Sequence, residues 1–172
     1  MGGALAMNAG AFDGETWGIV ERVDTIDRRG RLRRRGPDDF RVAYREVGRP
    51  VGEWFVGCRL RLERGDTAAE QQAIRRLLDR RAATQPTGQP SCGSTFRNPP
   101  DDHAARLIEA SGLKGHRVGG AQVSEKHANF MINTGGATAA DLETLIAYVR
   151  DEVARQHGIH LVSEYHVVGE PA

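Results

Sequence analysis

Residues 84–100 hold four prolines and two glycines. Proline fixes φ and removes a backbone donor, so no long helix or uninterrupted strand crosses such a stretch. It reads as a long ordered loop or an interdomain connection. A length of 172 residues allows one domain or two small ones. The expected division is therefore 1–83 and 84–172, with a boundary at the proline-rich segment.

Residues 2–18 are rich in glycine and small side chains and read as a loop leading into a short element. Residues 20–26 carry a half-buried strand pattern, 27–30 a turn, and 31–35 the return strand of a hairpin. Residues 37–40 read as a turn or a single helical turn, and 54–62 as a strand. Thr67 and Glu70 fit a capping box, with Thr67 as N-cap of a helix that runs to about Arg81 and carries Ile74, Leu77 and Leu78 on one face. Beyond the prolines, Asp101 or Asp102 caps a short helix that stops at Gly112. Strands are expected over 117–123 and 129–133. Thr138 with Asp141 starts the clearest helix, whose Leu142, Leu145, Ile146, Val149 and Val153 recur at helical spacing. Gly158 closes it, and 159–168 read as a final strand. A β-rich start followed by a mixed half predicts an α+β fold, not a doubly wound sheet.

The formal charge is +1, so no whole-chain field pulls the protein toward nucleic acid or anionic membrane. No apolar run approaches the ~20 residues of a membrane span. Residues 1–7 lack the basic n-region of a signal peptide, so a cytoplasmic location is expected. Cys58 and Cys92 lie far apart without a CxxC pair, which argues against a metal site and for buried or half-buried free thiols. Six arginines fall within residues 28–35. On a hairpin of a neutral chain they read as a solvated face, in preference to a nucleic-acid patch.

Four segments could carry chemistry. In Gly93-Ser94-Thr95-Phe96-Arg97-Asn98-Pro99, Pro99 biases Asn98 away from helix, which holds Ser94 at a fixed loop position. A serine there is also compatible with a solvated or capping role. Residues 111–130 combine close-approach glycines with Lys114, Arg117, Lys126 and His127, a surface that suits a phosphorylated ligand or a solvated charged loop. Glu164 stands among Val162, Val167 and Val168, either edge-facing or in a site. Gly2, Gly3, Asn8, Ala9 and Gly10 form a loop able to offer backbone N–H groups to a phosphate. It matches neither the dinucleotide nor the Walker pattern.

Taken together, these strings resemble the UDP-N-acetylenolpyruvoylglucosamine reductase (UDP-N-acetylmuramate dehydrogenase) family. The matching blocks are GGALAMNAGAFDGETW at 2–17, YR at 44–45, QPSCGSTFRNP at 89–99, GLKGHRVGGAQVSEKHANFMINTGGATAADL at 112–142 and SEYHVVG at 163–169. The short connection after Tyr44-Arg45 is similar to the shorter of the family's two architectures. The resemblance implies the remainder of a flavin-binding α+β domain in 1–83 and a small α/β substrate-binding domain in 84–172. It also implies that the family's N-terminal flavin-binding portion precedes Met1. The chain is therefore expected to be an N-terminally truncated copy that binds little FAD alone.

The activity implied is NADPH-dependent, FAD-mediated reduction of UDP-N-acetylglucosamine enolpyruvate to UDP-N-acetylmuramate, a step of peptidoglycan synthesis. By motif position Ser94 is the proton donor, Arg45 holds the substrate carboxylate and stabilises the enolate-like charge, and Glu164 completes the site. Gly2, Gly3, Asn8, Ala9 and Gly10 fall to the FAD, and Asn98, Lys114, Lys126 and His127 to the UDP-sugar. A serine hydroxyl is a weak acid, so it donates only to a strongly basic carbanion and only from a fixed position. Competing readings are a non-redox UDP-sugar-binding module, an inactive fragment, a basic hairpin that binds nucleic acid, and a different flavoenzyme. The sequence sets no oligomeric state.

Overall fold

A computed structural model describes residues 1–12 and 14–169. The fold is α+β, with two compact units, Met1–Asp66 and Thr67–Ala172. The helix ahead of the proline-rich stretch groups with the second unit.

The first unit runs α1 (Gly2–Ala6), β1 (Gly10–Ala11), β2 (Gly14–Glu15), a 3-10 turn (Thr16–Ile19), β3 (Val20–Asp27), β4 (Leu32–Arg35), a second 3-10 turn (Pro37–Asp39), β5 (Arg41–Ala43), β6 (Glu46–Gly48) and β7 (Glu53–Leu60). An antiparallel sheet has the order β4-β3-β7. Val20 and Val23 are both buried although three residues apart, which strict alternation forbids. A register shift between Val20 and Arg22 resolves this, because a bulge returns the chain to the same face. Around them pack Leu5, Trp17, Phe40 and Val47, with Phe55, Cys58 and Leu60 at the margin. The Trp17 and Phe40 rings lie 4.8 Å apart, and the Trp17 indole N–H donates to the Leu5 carbonyl at 2.8 Å.

Residues 2–18 hold a helical turn that the sequence reading takes for loop. Two glycines make α1 a poor helix by propensity, and it forms because Leu5 is drawn into the core. The arginines of β4 lie beside acids. Arg33 is 3.5 Å from Asp27, and Arg34 is 3.5 Å from Asp24. Arg35 donates to Glu53 through Nη2 at 2.6 Å and Nε at 2.9 Å, and the Thr25 hydroxyl donates to the same carboxylate at 2.7 Å.

The second unit runs α2 (Thr67–Thr84), β8 (Ser91–Ser94), α3 (Ala104–Ala110), β9 (Arg117–Val118), β10 (Ala121–Val123), β11 (Phe130–Asn133) and α4 (Ala139–His157). Its antiparallel sheet has the order β8-β11-β10-β9. Leu107 and Ile108 of α3 and Leu145, Ile146, Val149 and Val153 of α4 share a core with Ala121, Val123 and Met131 from the sheet. The capping box at α4 forms: Thr138 Oγ1 accepts the Asp141 N–H at 3.1 Å, and Asp141 accepts the Thr138 N–H at 3.0 Å. Gly158 ends the helix at φ 69°, in the left-handed region.

Several expectations need correcting. The strand over 117–123 is a hairpin, β9 and β10, turned at Gly119-Gly120. A Cβ on Gly119 would stand 2.5 Å from the Asp141 carboxylate, and one on Gly120 would stand 2.5 Å from Ala137 N. The turn is therefore fixed by the start of α4, which lies beyond any local window. The proline-rich stretch contains β8, an edge strand, where proline is tolerated at the ends. The final strand over 159–168 reduces to one isolated bridge, Phe96 to Ser163. Thr67 lies inside α2, not ahead of it, and none of that helix's residues is buried. Cys58 is half-buried as expected, whereas Cys92 is exposed; both are free.

Arg35 and Thr25 hold the Glu53 carboxyl down at about 2, despite the opposing cost of its burial. A depressed folded-state value contributes stability above the unfolded carboxyl range, and that contribution is lost as pH falls toward 2. Both tryptophans lie in the first unit, so their fluorescence reports its unfolding. Glu53→Gln is expected to lower the midpoint of that transition at neutral pH. Its stability is also expected to fall less steeply than the wild type's between roughly pH 4.5 and pH 2. Parallel pH profiles for the two proteins would remove Glu53 from this role.

Candidate functional site

Ser94 is the last residue of β8 and pairs with Phe130 of β11. Paired residues in an antiparallel ladder point to the same face. Met131, Val123 and Ala121 face the helices, so Phe130 and Ser94 belong to the opposite face. Gly93, at φ 85°, turns the chain just before the serine. The Ser94 side is exposed, while Thr95 and Phe96 immediately after it are buried.

The same face carries a row across the sheet, in which Ser91 pairs with Ile132, Ile132 with Gln122, and Gln122 with Arg117. Over this row lies a polar hollow of about 530 Å³ whose lining includes Thr87, Gln89, Arg117, Gln122, Lys126 and Ile132. Arg117 Nη2 donates to the side-chain Oε1 of Gln122 at 3.0 Å. Arg117 is one of the cations the sequence offers to a phosphorylated ligand, whereas Gln122 is not among the predicted site residues. The register that puts them in one row depends on the Gly119-Gly120 turn, which the sequence pattern hides.

Lys126 and His127 lie in the β10–β11 connection. Ser124 Oγ accepts both of their backbone N–H groups at 3.2 Å, which folds the loop tightly. The Lys126 ammonium donates to the Ala82 carbonyl at the end of α2, and Lys114 pairs with Glu109 at 2.9 Å. The His127 ring stands edge-on to Phe130 at 4.8 Å. Asn98, expected at the substrate, has a local task as well: its Oδ1 accepts the Ala104 N–H at 3.1 Å and caps α3.

Glu164 is half-buried. Its backbone N–H donates to the Thr95 carbonyl at 2.9 Å, which brings its chain segment alongside that of Ser94. Arg45 belongs to the first unit, as the second residue of the two-residue turn between β5 and β6. It adopts φ 56°, where such turns favour glycine or asparagine. The guanidinium donates to the Gly10 carbonyl at 2.9 Å and the Asn8 carbonyl at 3.3 Å, and lies 4.8 Å from the Tyr44 ring centre. Arg45 thus braces the 8–10 loop from a costly backbone conformation, a pattern that concentrates at functional positions.

The predicted cofactor residues divide. Asn8 is buried; its Nδ2 donates to Glu15 at 2.8 Å and to the Ala43 carbonyl at 3.2 Å, and its Oδ1 accepts the Trp17 N–H at 3.1 Å. The Ala9 N–H donates to Ala4. A Cβ on Gly10 would stand 2.6 Å from the Gly14 carbonyl. These three residues build the loop. Gly2 and Gly3 are exposed at the first turn of α1, where helix geometry leaves backbone N–H groups without intrahelical acceptors.

Residues 85–168 match the C-terminal domain of UDP-N-acetylenolpyruvoylglucosamine reductase. Over 170 residues the chain is 69% identical to a protein of that name from Alkalilimnicola ehrlichii, covering 99% of this chain and 57% of that one. With the protein of that name from Methylococcus capsulatus it shares 64% identity, covering 99% and 56%. The crystal structure of the reductase from Thermus caldophilus superposes with a TM-score of 0.86 at 33% identity, over 96% of this chain and 59% of that one. The chain belongs to the UDP-N-acetylenolpyruvoylglucosamine reductase family. It spans less than two thirds of the length of these relatives. Among the described residues, no helix is long and apolar enough to cross a membrane.

Burial, with the Lys114 charge as a smaller contribution, holds the His127 imidazole below its ordinary value. His127 is therefore expected to be neutral at pH 7 and to titrate below a free imidazole, roughly 6.5. Lys114→Gln is expected to raise its midpoint. Ring-proton shifts followed by NMR across pH test both statements, and a midpoint unmoved by the substitution would contradict the second.

Proposed function

We propose that this chain carries the substrate-binding and proton-donating part of a UDP-N-acetylenolpyruvoylglucosamine reductase. The whole enzyme reduces UDP-N-acetylglucosamine enolpyruvate to UDP-N-acetylmuramate for peptidoglycan, with NADPH as reductant through FAD. The observation that carries this reading is 69% identity across 99% of the chain to a protein of that name. Ser94 ends β8, and the Glu164 N–H bonds the carbonyl of the next residue, Thr95, which supports the same reading.

Gly2 and Gly3 fit a role at the FAD. They lack Cβ atoms, a Cβ on Gly3 would meet nothing within 4 Å, and first-turn amides suit an anionic group. Asn8, Ala9 and Gly10 support that loop from behind. FAD, when bound, supplies the hydride that comes from NADPH.

This chain's own residues then have three tasks. Hydride addition to the enolpyruvyl double bond leaves negative charge on the carbon conjugated to the carboxylate. Arg45 holds that carboxylate and stabilises the charge, in the manner of a preorganised cation. Ser94 Oγ–H gives its proton to the carbon, and Glu164 polarises the carboxylate region. Lys114, Lys126, His127 and Asn98 take the UDP-sugar. A second reading has support in the separate core of the second unit, which could bind a UDP-sugar without redox chemistry.

The test grafts residues 1–169 in place of the matching part of the Alkalilimnicola ehrlichii protein. NADPH oxidation that depends on the enolpyruvyl sugar nucleotide is expected. Ser94→Ala is expected to cut kcat by about 100-fold or more, the usual scale for losing a general acid, with KM little changed. Arg45→Lys and Glu164→Gln are expected to lower kcat/KM. Near-normal turnover by the Ser94 variant would remove its role, and binding without turnover in the unsubstituted graft would favour the second reading.

A further inference from the structure

We propose that Asn129 is the positioning residue for Ser94, fixing where its hydroxyl stands on the open face of the sheet. As a statement about catalysis this rests on the reading of Ser94 as proton donor. As a statement about structure it stands on the hydrogen bonds alone.

Asn129 is 3% exposed and sits just ahead of β11. Its Oδ1 accepts the Phe96 N–H at 3.0 Å, and its Nδ2 donates to the Phe96 carbonyl at 2.8 Å. The side chain thus matches both backbone groups of one residue, much as a neighbouring strand would. Its own carbonyl accepts the Thr95 N–H at 2.8 Å. The Thr95 carbonyl accepts the Glu164 N–H. One residue therefore holds three of the four backbone groups of Thr95 and Phe96, and the Glu164 segment holds the fourth.

The regular ladder cannot do this work. Pairing between β8 and β11 shifts register between Phe130 and Ile132, and β8 ends at Ser94. Past that point the backbone groups of Phe96 need partners of another kind, since an unpaired buried backbone group is costly. Gly93 on the other side of Ser94 stands at φ 85°. The serine is thus set between a left-handed glycine and a pinned dipeptide.

Asparagine is the side chain this geometry requires. It offers one donor and one acceptor in a plane, at the reach of two side-chain carbons. Aspartate keeps the shape, but when ionised it presents a second acceptor to the Phe96 carbonyl. When protonated it again offers a donor and an acceptor. Leucine fills the space and offers neither. Asn129→Asp is therefore a conservative variant whose rescue is switched by pH.

The experiment follows Phe96 amide-exchange protection and the Ser94 side-chain shifts by NMR in the 172-residue chain. The wild-type protein serves as the control at each pH. This control matters because the neighbouring His127, with Nδ1 3.4 Å from the Asn129 nitrogen, can titrate in the same range. At neutral pH, Asn129→Asp is expected to lose Phe96 protection by about tenfold or more, the scale of one lost buried hydrogen bond, and to displace the Ser94 shifts. Toward about pH 5 and below, where a buried carboxyl takes up its proton, both are expected to return. Asn129→Leu is expected to show the loss at every pH. Should the leucine variant not fold, the aspartate series decides by itself.

Unchanged Phe96 protection in Asn129→Asp up to about pH 9, above the range of a raised buried carboxyl, overturns the clamp, as does a loss that is the same at both ends of the pH range. In the grafted enzyme the Asn129→Asp loss is expected in kcat, with KM preserved and the same recovery at acid pH. A kcat unaffected while the Ser94 shifts move overturns the catalytic part. A graft with no turnover at all defeats the proposed function instead, and leaves the exchange measurement to decide the clamp.

Discussion

The buried backbone after Ser94 must find hydrogen-bond partners where the sheet can no longer provide them. Residues 95–97 follow the last β8–β11 pair, Ser94 with Phe130, yet remain inside the second unit's core through Phe96. Buried amides and carbonyls are almost always paired. Here the pairing comes from two sides, the side chain and backbone carbonyl of Asn129 on one and the backbone of 162–164 on the other. The residue types of the loop follow from this demand. Phe96 supplies burial, Asn129 supplies the missing strand edge, and the segment carrying Glu164 closes the remaining bonds. A serine in such a place is held far more firmly than its position in a loop suggests.

A similar economy operates at the other edge of the sheet. Asp141 closes the capping box of α4 and also accepts the Gly120 N–H, so one carboxylate ties the helix start to the β9–β10 turn. That turn sets the register in which Arg117, Gln122 and Ile132 share a row on the open face. The helix dipole favours a carboxylate in its first turn, and the bonds to Thr138 and Gly120 hold the Asp141 carboxyl below its ordinary value. The polar hollow on the face away from the helices thus owes its lining to a contact made on their side.

Where local pattern and tertiary demand agree, the sequence was legible. Helix α4 shows this best, because its spacing, its capping box and Gly158 all point the same way. The hairpin of β3 and β4 and the α+β class were legible for the same reason. Legibility failed where distant contacts decide. Helix α1 forms around one buried leucine, β8 is an edge strand among prolines, and the strand expected over 117–123 is broken by glycines whose need lies in α4. At the site, the motif strings pointed to Ser94, Glu164, Lys126 and His127. Asn129 carries no local signal within residues 112–142, because its role is a reach of thirty-three positions back to Phe96. The local tasks of Asn8 and Asn98 were equally hidden, since a side-chain amide looks the same whether it binds a ligand or its own backbone.

Helix α2 spans eighteen residues and buries none of them, and its Ile74 and Leu78 side chains are more than half exposed. Most helices in folded proteins borrow their stability from an apolar face packed on a core. Lacking that, α2 depends on the intrinsic preferences of alanine, arginine, glutamine and leucine, which are favourable but slight at each position. Its order therefore leans on helix–coil statistics, fading from the Thr67 end as temperature rises, while the Lys126 ammonium holds the Ala82 end. The two cores, by contrast, are built to give way all at once.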